Sequence, residues 1–177
     1  MELTHRLATE ADLAVLDALM ARAIGQLQHG LISPQQIAVS HKTMGLDRQL
    51  VADRTYFIAL ADGQIAGCGG WSWRGTLFGG DDSIVRRDPR PLDPATDAAK
   101  VRAMYTDPAF AQRGVGAFVL RLCENAARAA GFKRVELMAS LSGARLYRKA
   151  GYIVAEETAS PAVDGITVPL LRMEKAL

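Results

Sequence analysis

The stretch from Val101 to Leu120 constrains the fold most, because its character changes twice within twenty residues. It begins as a run typical of a β-strand and turns at Pro108. It then passes through Gln112-Arg-Gly-Val-Gly-Ala117 into a segment with apolar residues at helical spacing. A glycine-bearing loop directly before a helix presents backbone N–H groups to an anion, and the helix dipole adds to the attraction. The sequence therefore predicts a strand, a phosphate-binding loop and a helix in this order.

Composition narrows the class of protein. The chain has 177 residues, 49% of them apolar and 23% charged, as in a single globular domain spanning 1–177. A net charge of +2 gives no reason to expect a nucleic acid or a membrane as partner. Cys68 and Cys123 form no Cys-x-x-Cys pair, and the scattered His5, His29 and His41 predict no metal site. No long apolar run and no signal peptide are found, so the cytoplasm is the expected location.

The remaining elements follow from periodicity and turn signals. Asp62-Gly63 separates two β-rich runs and predicts an antiparallel hairpin. Residues 74–97, with three prolines, predict a long surface connection that is either a substrate lid or an ordinary loop. Strands are predicted at 2–7, 55–60, 64–72, 98–106, 134–139, 152–156 and 166–173, and helices at 10–25, from Pro34, around 46–51, after Gly116 and at 143–149.

Two nucleotide motifs compete for the phosphate loop. A Walker P-loop is excluded, because no Gly-Lys-Ser/Thr string is present. The dinucleotide fingerprint G-x-G-x-x-G has Gly114 and Gly116 but Val119 at its third position. Glu136 lies about 20 residues further on, where an acid binding the ribose is expected, so this alternative stays open.

A second string gives a better match. Thr106-Asp-Pro108, then Gln112-Arg-Gly-Val-Gly-Ala117, then Leu146-Tyr-Arg-Lys-Ala-Gly-Tyr152 resemble the GNAT superfamily of acyl-CoA-dependent N-acetyltransferases. The resemblance implies a single-domain GNAT-like α/β (α+β) fold with a mixed, mostly antiparallel sheet of about 6–7 strands and about four helices. Two positions depart from the family: Thr106 replaces a Val, and Leu141 replaces an Asn that contacts the cofactor.

The resemblance also implies roles for individual residues. Tyr147 is expected to be the catalytic acid that protonates the departing sulfur, and no metal is expected. Ser140, with Ser142 beside it, is expected to replace the missing Asn contact. The residues expected to bind acetyl-CoA or coenzyme A are Met104, Tyr105, Thr106, Gln112, Arg113, Gly114, Val115, Gly116, Ala117 and Ser140.

The acceptor and the base are less well specified. Any of four acids is a candidate base, and water with backbone groups is the alternative; the acids are Glu136, Asp107, Asp81 and Asp82. Aromatic residues favour an acceptor pocket lined by Trp71, Trp73 and Tyr105. Both cysteines are expected in the core rather than as nucleophiles.

The family implies a small-molecule or peptide amine as acceptor and a possible homodimer. It implies direct transfer from acetyl-CoA to a primary amine in a ternary complex. The alternative is a non-catalytic acyl-CoA-binding or sensing module.

Overall fold

A seven-stranded sheet organises the molecule in the computed structural model, which describes all of residues 1–177. Its strands are β1 (Leu3–Leu7), β2 (Tyr56–Ala61), β3 (Gln64–Ser72), β4 (Ala99–Thr106), β5 (Arg134–Ser140), β6 (Ile153–Ala159) and β7 (Pro169–Ala176). The helices are α1 (Leu13–Leu27), α2 (Pro34–Thr43), α3 (Arg48–Ala52), α4 (Val115–Ala129) and α5 (Leu141–Lys149). Short 3₁₀ turns cover Glu10–Asp12 and Pro108–Phe110.

The strand order is β1-β2-β3-β4-β5-β7-β6. Every neighbouring pair is antiparallel except β4 and β5, which are parallel and joined through α4. A parallel pair needs such a crossover, because a tight turn can only reverse the chain. The predicted mixed, mostly antiparallel sheet is confirmed.

Helices cover both faces of the sheet. The apolar stripe of α4, with Val115, Val119 and Cys123, packs on one face in a cluster that also holds Tyr147 of α5. Helix α1 covers the other face with Leu16, Leu19 and other apolar side chains. The centre of the sheet is therefore covered on both sides, and nearly every residue of β3 and β4 is buried or half-buried.

Most predicted elements are present, with shifts at their ends. Helix α5 begins at Leu141 rather than at 143, and β7 runs from Pro169 to Ala176 rather than from 166 to 173. Five helices are found rather than about four, because Asp47 caps the short α3 by accepting the Gln49 N–H at 3.0 Å.

The long connection from 74 to 97 is packed against the domain. Its two ends run side by side, since Gly75 N–H donates to Arg90 O at 3.0 Å and Leu92 N–H to Trp73 O at 2.7 Å. Its middle reaches the α2–α3 loop, where Asp81 N–H donates to Leu46 O at 2.8 Å. The connection therefore forms a wall beside the sheet.

Candidate active site

A cleft opens in the sheet where β4 and β5 separate. The two strands pair only at Ala99–Val135 and Lys100–Glu136 and then diverge. An ion pair joins Lys100 to Glu136 at the last paired position, and Arg172 of β7 also reaches Glu136 at 3.3 Å. Beyond this point β4 has no strand partner on its β5 side, which leaves backbone groups free to bind a ligand.

A β-bulge shapes the β4 side of the cleft. The register between β3 and β4 shifts between Cys68 and Gly70, and Ala103 takes the left-handed φ of 50°. The phenol of Tyr56, on β2, donates to the Ala103 carbonyl at 2.7 Å. The bulge turns the Ala103 carbonyl out of the strand pairing, and the buried Tyr56 hydroxyl satisfies it with a hydrogen bond.

Glycines on β3 make room for this bulge. A Cβ at Gly69 would overlap the Met104 side chain and lie 2.8 Å from Val119 Cγ1 of α4. A Cβ at Gly67 would lie 2.7 Å from Val115 Cγ1. These glycines are therefore sites where β3 packs closely against β4 and α4.

The predicted phosphate loop has an open row of donors. Gln112 and Gly114 take positive φ angles of 60° and 86°, and α4 begins at Val115. None of the backbone N–H groups of 112–117 donates a hydrogen bond within the chain. A Cβ at Gly114 would meet no atom within 4 Å, so the loop faces open space. The arrangement suits a phosphate at a helix N-terminus.

The two sequence motifs meet at this end of the cleft. A Cβ at Gly116 would lie 2.9 Å from Leu146 Cδ2 of α5 and 3.6 Å from Thr106 Oγ1 of β4. The loop, the end of β4 and α5 are therefore in contact, although about thirty residues separate the motifs in the sequence.

Tyr147 projects from α5 into the same cleft. The residue is 7% exposed, and its ring packs edge-on against Tyr152 with centroids 5.8 Å apart. Gly143 leaves room for it, since a Cβ there would lie 2.9 Å from Tyr147 Cε2. Burial raises the pKa of the Tyr147 phenol above its usual value of about 10. The hydroxyl therefore stays protonated at neutral pH, and none of the hydrogen bonds within the chain uses it.

Ser140 stands at the junction of β5 and α5. Its hydroxyl lies 2.9 Å from that of Ser142, and both flank the half-exposed Leu141. Ser140 lines the cleft, as do Met104 and Tyr105. The hydroxyl pair keeps hydrogen-bonding capacity for a ligand, because each oxygen can accept as well as donate.

Three segments that are far apart in the sequence complete the lining of the cavity. Side chains from the end of α2, from the long connection and from the start of β7 line it: Thr43, Met44, Gly45, Leu77, Phe78, Gly79, Val168 and Leu170. The phenol oxygen of Tyr105 accepts the Gly45 N–H at 2.8 Å and fixes the first of these segments. Tyr105 thus lines the cavity as predicted.

Trp71 and Trp73 do not line this cavity, so that prediction is wrong. Trp71 packs edge-on against Phe132 with centroids 6.1 Å apart and against Trp73 at 5.8 Å. Trp71 belongs to the apolar cluster under α4. Strand alternation turns it away from the cavity, a choice of face that residue type alone does not reveal.

The candidate bases are mostly engaged elsewhere. Glu136 is held by Lys100 and Arg172, and Asp81 accepts the Arg48 N–H at 2.9 Å. Burial acts to raise the pKa of Asp107, but hydrogen bonds from Arg22 and the Ala109 N–H outweigh it and lower that pKa. Asp82 is exposed and does not line the cavity.

Both cysteines are fully buried, as expected. Burial raises the pKa of the Cys68 thiol to about 12 and also raises that of Cys123. A thiolate nucleophile is therefore disfavoured at either position.

A buried charge cluster beside the cavity was missed by the sequence analysis. Arg102 of β4 pairs with Asp47 at 2.5 Å and donates to Gly79 O at 2.6 Å. Arg87 of the long connection also pairs with Asp47 at 2.9 Å. The available signal was an arginine in the middle of a central strand, a position that requires a buried partner.

Two broader observations concern the whole chain. No helix combines the length and the apolar character needed to cross a membrane. No group of three or more His, Cys, Asp or Glu side chains is placed to hold a metal ion.

Comparisons with known structures agree on the fold. A GCN5-related N-acetyltransferase from Rhodopseudomonas palustris superposes with a TM-score of 0.73 at 20% identity, covering 100% of this chain and 97% of that one. The PaiA N-acetyltransferase of Thermoplasma acidophilum, in complex with coenzyme A, gives 0.67 at 16% identity with 100% of both chains covered. The yncA structure of Salmonella typhimurium with its cofactor acetyl-CoA gives 0.62 at 17%, covering 98% of this chain and 93% of that one.

Sequence comparison identifies the family. A search of curated proteins finds no match. The model of the acetyltransferase (GNAT) family matches residues 25–152, which include both motifs and the bulge. This match removes the dinucleotide-binding alternative. The G-x-G-x-x-G fingerprint also requires a third glycine, and the buried Val119 stands at that position. The chain belongs to the acetyltransferase (GNAT) family.

Proposed function

We propose that this protein transfers an acetyl group from acetyl-CoA to a primary amine by direct attack in a ternary complex. One observation carries the proposal: the loop at 112–117, with its open row of N–H donors, packs through Gly116 against Leu146 of α5, the helix that places the protonated phenol of Tyr147 in the cleft. A phosphate site next to the helix that supplies a proton donor matches the needs of transfer from a phosphorylated thioester.

The cleft and the adjoining loop have groups suited to the pyrophosphate and to the pantetheine arm of coenzyme A. The N–H groups of 112–117 would hold the pyrophosphate, with Arg113 adding charge at the loop. The β4 edge at Met104–Thr106, which has no partner strand on the β5 side, would pair with the amides of the pantetheine arm. Ser140 would replace the missing Asn contact. When bound, acetyl-CoA supplies the thioester carbonyl that the amine attacks.

Tyr147 supplies the proton that the departing sulfur takes up. Its burial keeps the phenol protonated, and its hydroxyl is not spent on another group of the chain. As the new C–N bond forms and the C–S bond breaks, this O–H proton passes to sulfur. A free N–H at the β4 bulge would stabilise the charge that develops on the carbonyl oxygen.

The amine must lose a proton before or during attack. No carboxylate lines the cavity, and Glu136 and Asp107 are held by cations. We therefore assign this proton to water entering the cleft rather than to a carboxylate base.

The test is release of the coenzyme A thiol when acetyl-CoA and a panel of primary amines are mixed with the protein. Amine-dependent release supports the proposal. Binding of acetyl-CoA without turnover on any amine would favour a non-catalytic acyl-CoA-binding or sensing module. Failure to bind coenzyme A in a calorimetric titration would exclude both functions.

A further inference from the structure

The charge of the cavity wall indicates which amines fit. Seventeen residues line the cavity, and Arg102 is the only charged one among them. Its side chain is 3% exposed, and its Nε–H is buried with no hydrogen-bond partner. A buried guanidinium N–H that has no partner stabilises a ligand strongly when the ligand brings a hydrogen-bond-accepting group to it.

The surrounding cluster keeps a net positive charge. Asp47 is fully buried and is shared by Arg102 and by Arg87, whose side chain is 33% exposed. One carboxylate between two guanidiniums leaves one unit of positive charge beside the cavity. Burial strengthens its effect on a ligand, because the field is less screened there than in water.

This charge selects against purely cationic acceptors. A polyamine or a simple alkylamine enters as an ammonium ion and meets a cation with no carboxylate in the wall. An acceptor that also carries a carboxylate offsets its own ammonium charge and supplies a partner for Arg102. The same cluster therefore repels one class of amine and attracts another.

Most of the remaining wall is apolar, with Thr43 and Ser140 as its small polar residues. Met44, Leu77, Phe78, Val168 and Leu170 surround the side of the cavity away from the coenzyme A loop. Such a surface suits an aliphatic or aromatic side chain better than the many hydroxyl groups of a sugar or a polar antibiotic.

We propose that the acceptor is a small amino acid, an amine bearing a carboxylate and an apolar side chain, with the carboxylate recognised by Arg102 and the charge of Arg87. This inference rests on the proposed acetyl transfer for its catalytic consequence. Its binding consequence stands separately, because the cavity binds the amino acid whether or not transfer follows.

The experiment compares three ligands that differ only at the carboxylate. L-phenylalanine carries it, phenylalaninol replaces it with an alcohol, and phenethylamine lacks it. Each is titrated calorimetrically into the protein saturated with coenzyme A, and each is assayed for acetyl transfer. We expect L-phenylalanine to bind at least tenfold more tightly than phenethylamine and to show a kcat/KM at least tenfold higher, as a charge-assisted hydrogen bond predicts.

Variants assign the preference to the cluster. Arg102→Gln should bring the ratio of L-phenylalanine to phenethylamine close to one. Because this change leaves Asp47 short of a partner and risks unfolding, Arg87→Gln is the second variant and should lower the ratio at least threefold. Arg90→Gln is the matched control, since it removes the same charge from an exposed arginine of the same connection that pairs only with Asp88 and Asp97.

The outcomes separate the two proposals. Equal binding of the three ligands, or a ratio in Arg87→Gln equal to that in Arg90→Gln, overturns the carboxylate inference even if amines are acetylated. A tenfold binding preference without any thiol release supports the inference and contradicts the proposed acetyl transfer. Acetylation of phenethylamine in preference to L-phenylalanine supports acetyl transfer and overturns the carboxylate inference.

Discussion

Replacing Tyr56 by Phe tests how the β4 bulge is held. The substitution removes one oxygen and keeps the ring, which is 1% exposed in the cluster under α1. A Cβ at Gly70 would lie 2.7 Å from Tyr56 Cδ2, so the ring fills its site tightly and has little room to shift. The variant therefore removes the 2.7 Å hydrogen bond to the Ala103 carbonyl and little else.

The expected magnitude follows from the state of that carbonyl. A typical hydrogen bond contributes about 1 kcal/mol net, and leaving a buried acceptor unpaired costs about 1–3 kcal/mol. Ala103 lies at the cleft and is only partly buried, so water can reach its surroundings. We expect the free energy of unfolding to fall by about 1–2 kcal/mol. Because Ala103 already holds a left-handed φ of 50°, we also expect the bulge to loosen.

Urea unfolding and steady-state kinetics measure both effects. Loosening of β4 should raise the KM for acetyl-CoA several-fold with a smaller change in kcat, since we propose that the strand edge binds the pantetheine arm. Tyr147→Phe is the matched control, because it removes a phenol oxygen that makes no hydrogen bond within the chain. A loss of stability in Tyr56→Phe no larger than that in Tyr147→Phe would refute the role of the Tyr56 hydroxyl.

Three further predictions concern the cleft. Tyr147→Phe should lower kcat about a hundredfold, as loss of a general acid does, and should change the free energy of unfolding by less than about 0.5 kcal/mol. Assays of coenzyme A thiol release measure the first effect, and urea unfolding measures the second. Burial raises the pKa of the Tyr147 phenol, and a phenol can act as a general acid only below its pKa. The kcat of the wild-type protein should therefore show no fall between pH 7 and pH 10 caused by ionisation of this group. Gly116→Val should weaken acetyl-CoA binding more than tenfold in calorimetry, because its Cβ would lie 2.9 Å from Leu146 Cδ2 and force the loop away from α5.

Much of the fold could be predicted from local signals. The Asp62-Gly63 turn fixes the hairpin of β2 and β3, and a continuous apolar stripe fixes α4. The end of β7 could not be placed in the same way. Its pairing with β5 runs from Ser140–Leu170 to Arg134–Ala176, and no property of residues 166–173 alone specifies that register.

The candidate site also has a part that local sequence motifs predict and a part that they do not. The loop at 112–117 and Tyr147 lie in contiguous motifs, and the structure brings their segments together through Gly116 and Leu146. The wall of the proposed acceptor pocket could not be predicted, because its parts come from the end of α2, the long connection and the start of β7. Asp47 and Arg102 meet only after these segments fold around β4, which is why neither attracted attention in the sequence.

The bulge in β4 explains why alternation misleads at this point of the chain. In a regular strand, every second residue shares a face, so Val101, Ala103 and Tyr105 would lie together. Val101 packs under α4, yet Tyr105 packs in the cluster under α1, whereas Met104 packs toward α4. The extra residue at the bulge therefore reverses which face of the sheet each following residue of β4 points to. It places Tyr105 on the same side of the sheet as Arg102, where its phenol oxygen accepts the Gly45 N–H and holds that part of the cavity wall. The same irregularity therefore prepares the β4 edge for the proposed cofactor and helps to assemble the proposed acceptor pocket.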